Sequence, residues 1–137
     1  MTATRAEILV EAREWIGTPF HHQGRIKGVG VDCVGLIYGV GQKFGLIDSD
    51  YTEYGREPHK NTLEREAVLR VDWLGDIEPQ PADILLMRFL REPQHVAIFT
   101  GRNIIHAYSG IGKVVEHILD DKWRKRVVGV YGFRGVE

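Results

Sequence analysis

The strongest constraint on how this chain can fold is a change of character at Pro79 and Pro81. Before them, apolar residues recur with the period of a helix. After them, apolar and β-branched residues come in short runs: Asp83 to Phe89, His95 to Thr100, Asn103 to Tyr108, Lys113 to Ile118 and Val127 to Phe133. Gly101-Arg102 reads as a tight hairpin turn and Ser109 to Gly112 as the next one. Helices first and a strand meander afterwards, without alternation of strand and helix, predict an α+β fold. In it, N-terminal helices pack on a C-terminal antiparallel sheet of about five to six strands.

The helical half has recognisable ends. Thr4 and Glu7 have the spacing of a capping box, after which Ile8, Leu9, Ala12, Trp15 and Ile16 share a face, so helix one should stop near Gly17. A second helix is predicted from Cys33 to about Phe44, with Asp32 as its cap and Gly45 just past its end. Residues 46 to 60 lack a period and predict irregular chain. Asn61 can cap a third helix from about Thr62 to Leu74, where Leu63, Ala67, Val71 and Leu74 fall on one side.

At 137 residues the chain is expected to form a single domain, 1–137, with enough core to do without metal or disulfide staples. One cysteine cannot form an internal disulfide. Eighteen basic against nineteen acidic residues leave a net charge of −1, which offers no global electrostatic reason to bind nucleic acid. The basic cluster Lys122 to Arg126 reads as a solvated turn. The start of the chain lacks the apolar stretch of a signal peptide, and no run is long enough to cross a membrane. The expectation is a soluble protein made in the cytoplasm, with no membrane insertion.

Chemistry concentrates at Cys33. A thiol opening a helix meets unpaired N–H groups and the positive end of the dipole, which favour the thiolate and should lower its pKa. A nucleophile also needs a base and a group that orients the base. The six histidines are His21, His22, His59, His95, His106 and His117. If the hairpin turns at Gly101-Arg102, residue 100 pairs with 103 and 97 with 106, so the side chains of 95, 97 and 106 share a face. Cys33 as nucleophile, His95 as base and His106 as orienter would perform acyl transfer at an amide carbonyl. Backbone N–H groups at the helix start could stabilise the oxyanion.

Rival readings stand beside this one. A lone cysteine is often an inert core residue, and a histidine in a strand is often merely hydrogen-bonded. Cys33, His95 and His106 could be zinc ligands, although no His-Glu-x-x-His spacing supports that, and no metal or other cofactor is expected. His21-His22 is a poor chelate because adjacent side chains in extended chain diverge. His59 and His117 have no partner that spacing identifies. Helical phase makes Trp15 a core residue and leaves Trp73 and Trp123 undetermined.

These residues resemble the NlpC/P60 family of cysteine peptidases, a papain-like fold that cleaves peptidoglycan stem peptides. Gly17-Thr-Pro-Phe20 resembles the family's Gly-x-Pro-Tyr entry, and Val31-Asp-Cys-Val-Gly-Leu36 its Asp-Cys-Ser-Gly-Leu motif. Pro81-Ala-Asp-Ile-Leu85 resembles Pro-Gly-Asp-Leu, His95-Val-Ala-Ile-Phe99 resembles His-Val-Gly-Ile-Tyr, and Ile104-Ile-His-Ala107 the following Ile-His-Ala. The resemblance implies Cys33 as nucleophile, His95 as base and His106 as third member. It also implies a stem-peptide amide as substrate, with the D-Glu to diaminopimelate bond the best guess.

His22-Gln23 and Lys27-Gly-Val-Gly30 further resemble the short cell wall peptidases of phages and gene-transfer agents. That likeness implies phage-tail-like partners and delivery to the wall by a tail. The residues matching the family's substrate contacts are Phe20, Asp32 and Val34; Phe20 lacks the family's phenol and Val34 its hydroxyl, so a strict requirement for a free L-Ala amine does not transfer. Two alternatives remain on the same fold: a tail-assembly or wall-binding module without turnover, and an amidase or acyltransferase.

Overall fold

The computed structural model describes residues 3–47, 71–75, 77–89 and 92–137, with side chains of 92–94 excepted. Helix α1, Arg5–Glu14, starts with the capping box expected from its sequence: the Thr4 hydroxyl accepts from the Glu7 N–H and the Glu7 carboxylate from the Thr4 N–H. It ends in a turn through Gly17, whose φ of +93° is left-handed and suits a residue without a Cβ. A small hairpin follows, β1 (Arg25–Ile26) and β2 (Gly30–Val31). Helix α2, Cys33–Lys43, is capped by Asp32 and stops before Gly45, at φ +70°.

The two helices cross closely because Gly39 faces Trp15. A Cβ at Gly39 would lie 2.3 Å from the indole Cζ2. Trp15 is buried, as its helical phase required, and its ring N–H donates to the buried Glu11 carboxylate at 3.0 Å. Lys27 of the small hairpin closes on the same carboxylate at 2.7 Å, which leaves the buried charge paired.

The remaining strands are β3 (Asp72–Gly75), β4 (Ile84–Phe89), β5 (Glu92–Phe99), β6 (Asn103–Tyr108), β7 (Lys113–Ile118) and β8 (Val127–Gly132), with a one-turn helix α3 (Asp121–Arg124) before β8. They form one six-stranded antiparallel sheet in the order β3-β8-β4-β5-β6-β7. The α+β architecture agrees with the sequence expectation, and β4 to β7 form the expected meander, whereas β8 leaves it and crosses back to pair with β4.

Alternation along each strand divides the buried residues between two faces. Ile84, Leu86, Val96, Ile98, Ile105 and Ala107 join α1 and α2 in one apolar core. Leu85, Met87, Ala97, Phe99, Ile104 and Val130 form a second, smaller one on the other side. Among the described residues, no helix is long and apolar enough to cross a membrane.

Two expectations need correction. The third helix was to run to Leu74, but Asp72–Gly75 is a strand paired with β8 through Asp72↔Gly132 and Trp73↔Tyr131. Val71 and Leu74 fit a helical spacing, yet a sheet edge offers Asp72–Gly75 a ladder, and the Arg134 guanidinium donates to Asp72 at 3.1 Å. The rest of that helix, and the irregular chain expected from residue 48 to 60, lie outside the described residues. The basic cluster 122–126 is only partly a solvated turn: it contains α3, whose Trp123 is partly buried against the second core, with the Arg126 guanidinium over its ring.

The Pro81-Ala-Asp segment shows why its pattern matters. Ala82 sits at φ +76°, a left-handed conformation costing an L-residue about 1–2 kcal/mol, where the resembled motif has glycine. The turn aims the buried Asp83 carboxylate at Arg5 of α1, 2.9 Å away, and at the Gln80 N–H, 2.7 Å away. Helix one is thereby fixed to the start of β4.

Candidate active site

Cys33 is the first residue of α2, and its neighbours are held by Asp32. One carboxylate oxygen of Asp32 accepts from the Gly35 N–H at 2.8 Å and from the Arg25 guanidinium at 3.0 Å; the other accepts from the Gln23 N–H at 2.8 Å. Asp32 is thus both an N-cap and the anchor of the loop before the cysteine. Gln23 adopts a positive φ of 61° to reach it. Gly35 lies so close to the Gly24 carbonyl that a Cβ would come within 2.3 Å of its oxygen. Loop and helix start are packed as one unit.

The Cys33 side chain is half-buried and meets the sheet at Val96. Strands β5 and β6 pair at Ile98↔Ile105 and Phe99↔Ile104, the register expected from a turn at Gly101-Arg102. The ladder ends before 97 and 106, and the strands part there. Where β5 has lost this neighbour, the Val96 backbone lies close enough to the Cys33 thiol to favour its ionised form, as does that of Val34. The thiol therefore lies against the residue that follows His95.

Contrary to the helix-start expectation, the thiol is not activated in this resting arrangement. Burial, and after it the Asp32 carboxylate, push the Cys33 thiol up to about 12. The backbones of Val96 and Val34 and the charge of Arg25 pull the other way and do not offset burial. His95 is pushed down to about 3, mainly by burial and next by the charge of Arg126. His106 is pushed down to about 2, again mainly by burial. The resting groups are a thiol and neutral imidazoles.

His95 and His106 project from the sheet face opposite the helices and are both buried. His95 Nε2 and His106 Nδ1 are 2.6 Å apart, with the rings nearly perpendicular at 71°. With Nε2 committed to His106, any proton that His95 exchanges with a thiol must use Nδ1.

The hydrogen-bond chain then continues to a residue the sequence reading had left without a partner. His106 Nε2 lies 2.8 Å from His117 Nε2, and His117 Nδ1 lies 3.0 Å from the Ile118 carbonyl oxygen. The signal was available in the second turn. Pairing Tyr108 with Lys113 sets His106 opposite Val115, and His117 is the diagonal neighbour on the same face.

Aromatic rings enclose this chain. Tyr108 stacks on His106 at 15°, Trp123 of α3 meets the same ring edge-on at 5.0 Å, and Phe89 lies 5.3 Å from His95. The Arg126 guanidinium lies 4.6 Å from the Phe89 ring centre and 4.7 Å from that of Trp123, a cation–π contact that brings its charge near His95.

Of the residues matched to substrate contacts, Val34 is buried and Asp32 is engaged as described. Phe20 is half-buried where its backbone bridges Val31 and its N–H donates to Gly112. His21 and His22 do not converge; the His21 ring bonds the His22 carbonyl at 3.0 Å. His59 lies outside the described residues. Among the described residues, no group of three His, Cys, Asp or Glu side chains is arranged to hold a metal ion.

Comparison with known proteins bears on the family and the fold. The NlpC/P60 family model matches residues 17–132. No curated protein gives a significant match. An NlpC/P60 family protein from Bacillus cereus superposes with a TM-score of 0.73 at 17% identity, covering 97% of this chain and 41% of its own length. The NlpC/p60 domain of the peptidoglycan hydrolase SagA superposes at 0.66, with 22% identity over 95% of this chain and 99% of the domain. The peptidoglycan hydrolase RipB of Mycobacterium tuberculosis gives 0.62, at 17% identity, over 94% of this chain and 64% of RipB. At these identities the structures establish a shared fold. This chain spans about two fifths of the Bacillus cereus protein.

Proposed function

This chain belongs to the NlpC/P60 family, and from that premise we propose that it is a cysteine peptidase hydrolysing an amide bond of peptidoglycan stem peptides. Cys33 is the nucleophile, His95 the base and His106 its orienting partner. The observation that carries the reading is the buried contact of His95 Nε2 with His106 Nδ1, 2.6 Å apart, which leaves His95 Nδ1 for a thiol; the effect of the Val96 backbone on the Cys33 thiol supports a sulfur near the strand that carries His95. The whole chain, 1–137, then serves as one catalytic domain.

In this reaction the neutral pair acts by general-base catalysis. The Cys33 sulfur attacks the amide carbonyl carbon while its proton passes to His95 Nδ1. The oxyanion of the tetrahedral adduct is left to the Cys33 N–H, since those of Gly35 and Leu36 are already taken by Asp32 and the Val34 backbone serves the thiol. His95 returns the proton to the amine as the C–N bond breaks, leaving a thioester. Water, deprotonated by His95, then attacks the thioester, releasing the acid and restoring the thiol.

The best-supported bond is that between D-Glu and diaminopimelate, by resemblance to the family. The loop Gly17–Gly30 supports a phage or gene-transfer-agent setting, with tail-like proteins as partners and the cell wall as the place of action. Phe20, Asp32 and Val34 line the substrate side in this reading. Because the oxygens of Asp32 already serve Gly35, Gln23 and Arg25, the stem's amino end is held less strictly than where a phenol and a hydroxyl assist.

Digestion of purified peptidoglycan tests the proposal. The wild type should release stem fragments whose masses name the bond, and Cys33→Ala should release none. Equal wall binding by both proteins with no fragments from either would replace the peptidase with a binding module.

A further inference from the structure

The three-histidine chain ends on a group that can only accept a hydrogen bond. A backbone carbonyl offers no proton, so the 3.0 Å contact between Ile118 O and His117 Nδ1 requires the proton on that nitrogen. In neutral His117, Nε2 is then bare. The 2.8 Å contact with His106 requires His106 Nε2 to donate. His106 Nδ1 is consequently bare, and the 2.6 Å contact requires His95 Nε2 to carry its proton. His95 Nδ1, the nitrogen left for the thiol, is bare in turn. One carbonyl thus sets the direction of every hydrogen bond in the row.

We propose that His117 is a positioning residue for the proposed peptidase reaction, relaying the polarity of the Ile118 carbonyl through His106 so that His95 presents an unprotonated Nδ1 to Cys33. The inference rests on the peptidase reading for its consequence and on the hydrogen-bond chain alone for its structural part. Without an acceptor at position 117, nothing selects the His106 tautomer. The form protonated at Nδ1 then places a donor against His95 Nε2, leaving His95 with its proton on Nδ1. A histidine in that state cannot accept the thiol proton. Trp123, 5.1 Å from the His117 ring, and the strand pairing Ile104↔His117 hold the residue in place.

The test uses the full chain labelled with 15N-histidine, together with His117→Leu and His117→Gln. Glutamine can place an amide oxygen near the position of Nε2, whereas leucine fills the space and accepts nothing. In the wild type, NMR should show His95 and His106 both as the tautomer protonated at Nε2. His117→Leu should give mixed or reversed tautomers and a kcat on peptidoglycan lower by about 10–100-fold with KM little changed, the range for groups that orient a reacting residue from behind. His117→Gln should restore both readouts to near wild type. Wild-type tautomers retained in His117→Leu would overturn the proposal, whatever its activity. An inactive wild type with the expected tautomers would instead refute the peptidase reading and leave the relay standing.

Discussion

The two faces of the six-stranded sheet use the same strands for opposite purposes. On β5 and β6, Val96, Ile98, Ile105 and Ala107 meet the helices, and the side chains these two strands send there are aliphatic. One residue away along the same strands, His95 and His106 point to the other face, into tyrosine, tryptophan and phenylalanine rings. Neighbouring β7 repeats the division: Glu116 takes the Arg13 guanidinium of α1, and His117 joins the imidazole chain. The helix face obtains stability from burial. The opposite face spends some of it on keeping titratable rings neutral and aligned.

Substitutions of equal size on the two faces should separate these purposes. Ile105→Ala removes a fully buried side chain from the helix face and should cost about 2–5 kcal/mol in urea unfolding. Activity per folded molecule should stay within a few-fold of wild type. His106→Ala, from the adjacent position on the other face, should nearly abolish turnover. A variant pair in which stability and activity fell together on both faces would break the distinction.

Acid should find the imidazole face first. His95 and His106 have folded pKa values near 3 and 2, below the ordinary histidine value of about 6.5. The unfolded chain therefore binds more protons between these limits. Their stabilising effect is full above about pH 6.5 and is lost as pH falls toward the folded values, at up to about 1.4 kcal/mol per pH unit for each ring. Urea midpoints measured from pH 7.5 to 4.5 should fall along this slope, and a His95→Gln/His106→Gln protein should show a shallower one. The Cys33 thiol works with the opposite sign, its contribution full below about pH 9 and lost as pH rises toward 12.

The smallest effect belongs to the exposed edge of the helix face. Arg13 and Glu116 pair at 3.1 Å in a setting open to water, so Arg13→Ala should cost less than about 1 kcal/mol and leave kcat unchanged. A loss well above that, measured by thermal unfolding, would make the pair part of the structural core of that face.

Much of the site was legible from residue order. The cap at Asp32, the hairpin at Gly101-Arg102 and alternation along the strands are local properties, and together they brought His95 and His106 to one face. What escaped depended on neighbours distant in sequence. Residues 72–74 carry a helical spacing, and only the free edge of β8 made them a strand. Trp123 and Arg126 sit in a basic run that resembles a surface turn until α3 folds onto the imidazoles.

The sequence by itself determined helices before an antiparallel sheet, the place of Cys33 at a helix start and the common face of His95 and His106. Period, capping and turn chemistry act over a few residues, and each can be read in place. Tertiary structure alone decided the ionisation state of the site and the third histidine. Burial raises the thiol and lowers the imidazoles against the preference of the helix start, and no local pattern encodes how much water a folded chain excludes. The direction of the hydrogen-bond chain likewise rests on one carbonyl, at Ile118, which became its terminus when β6 and β7 paired.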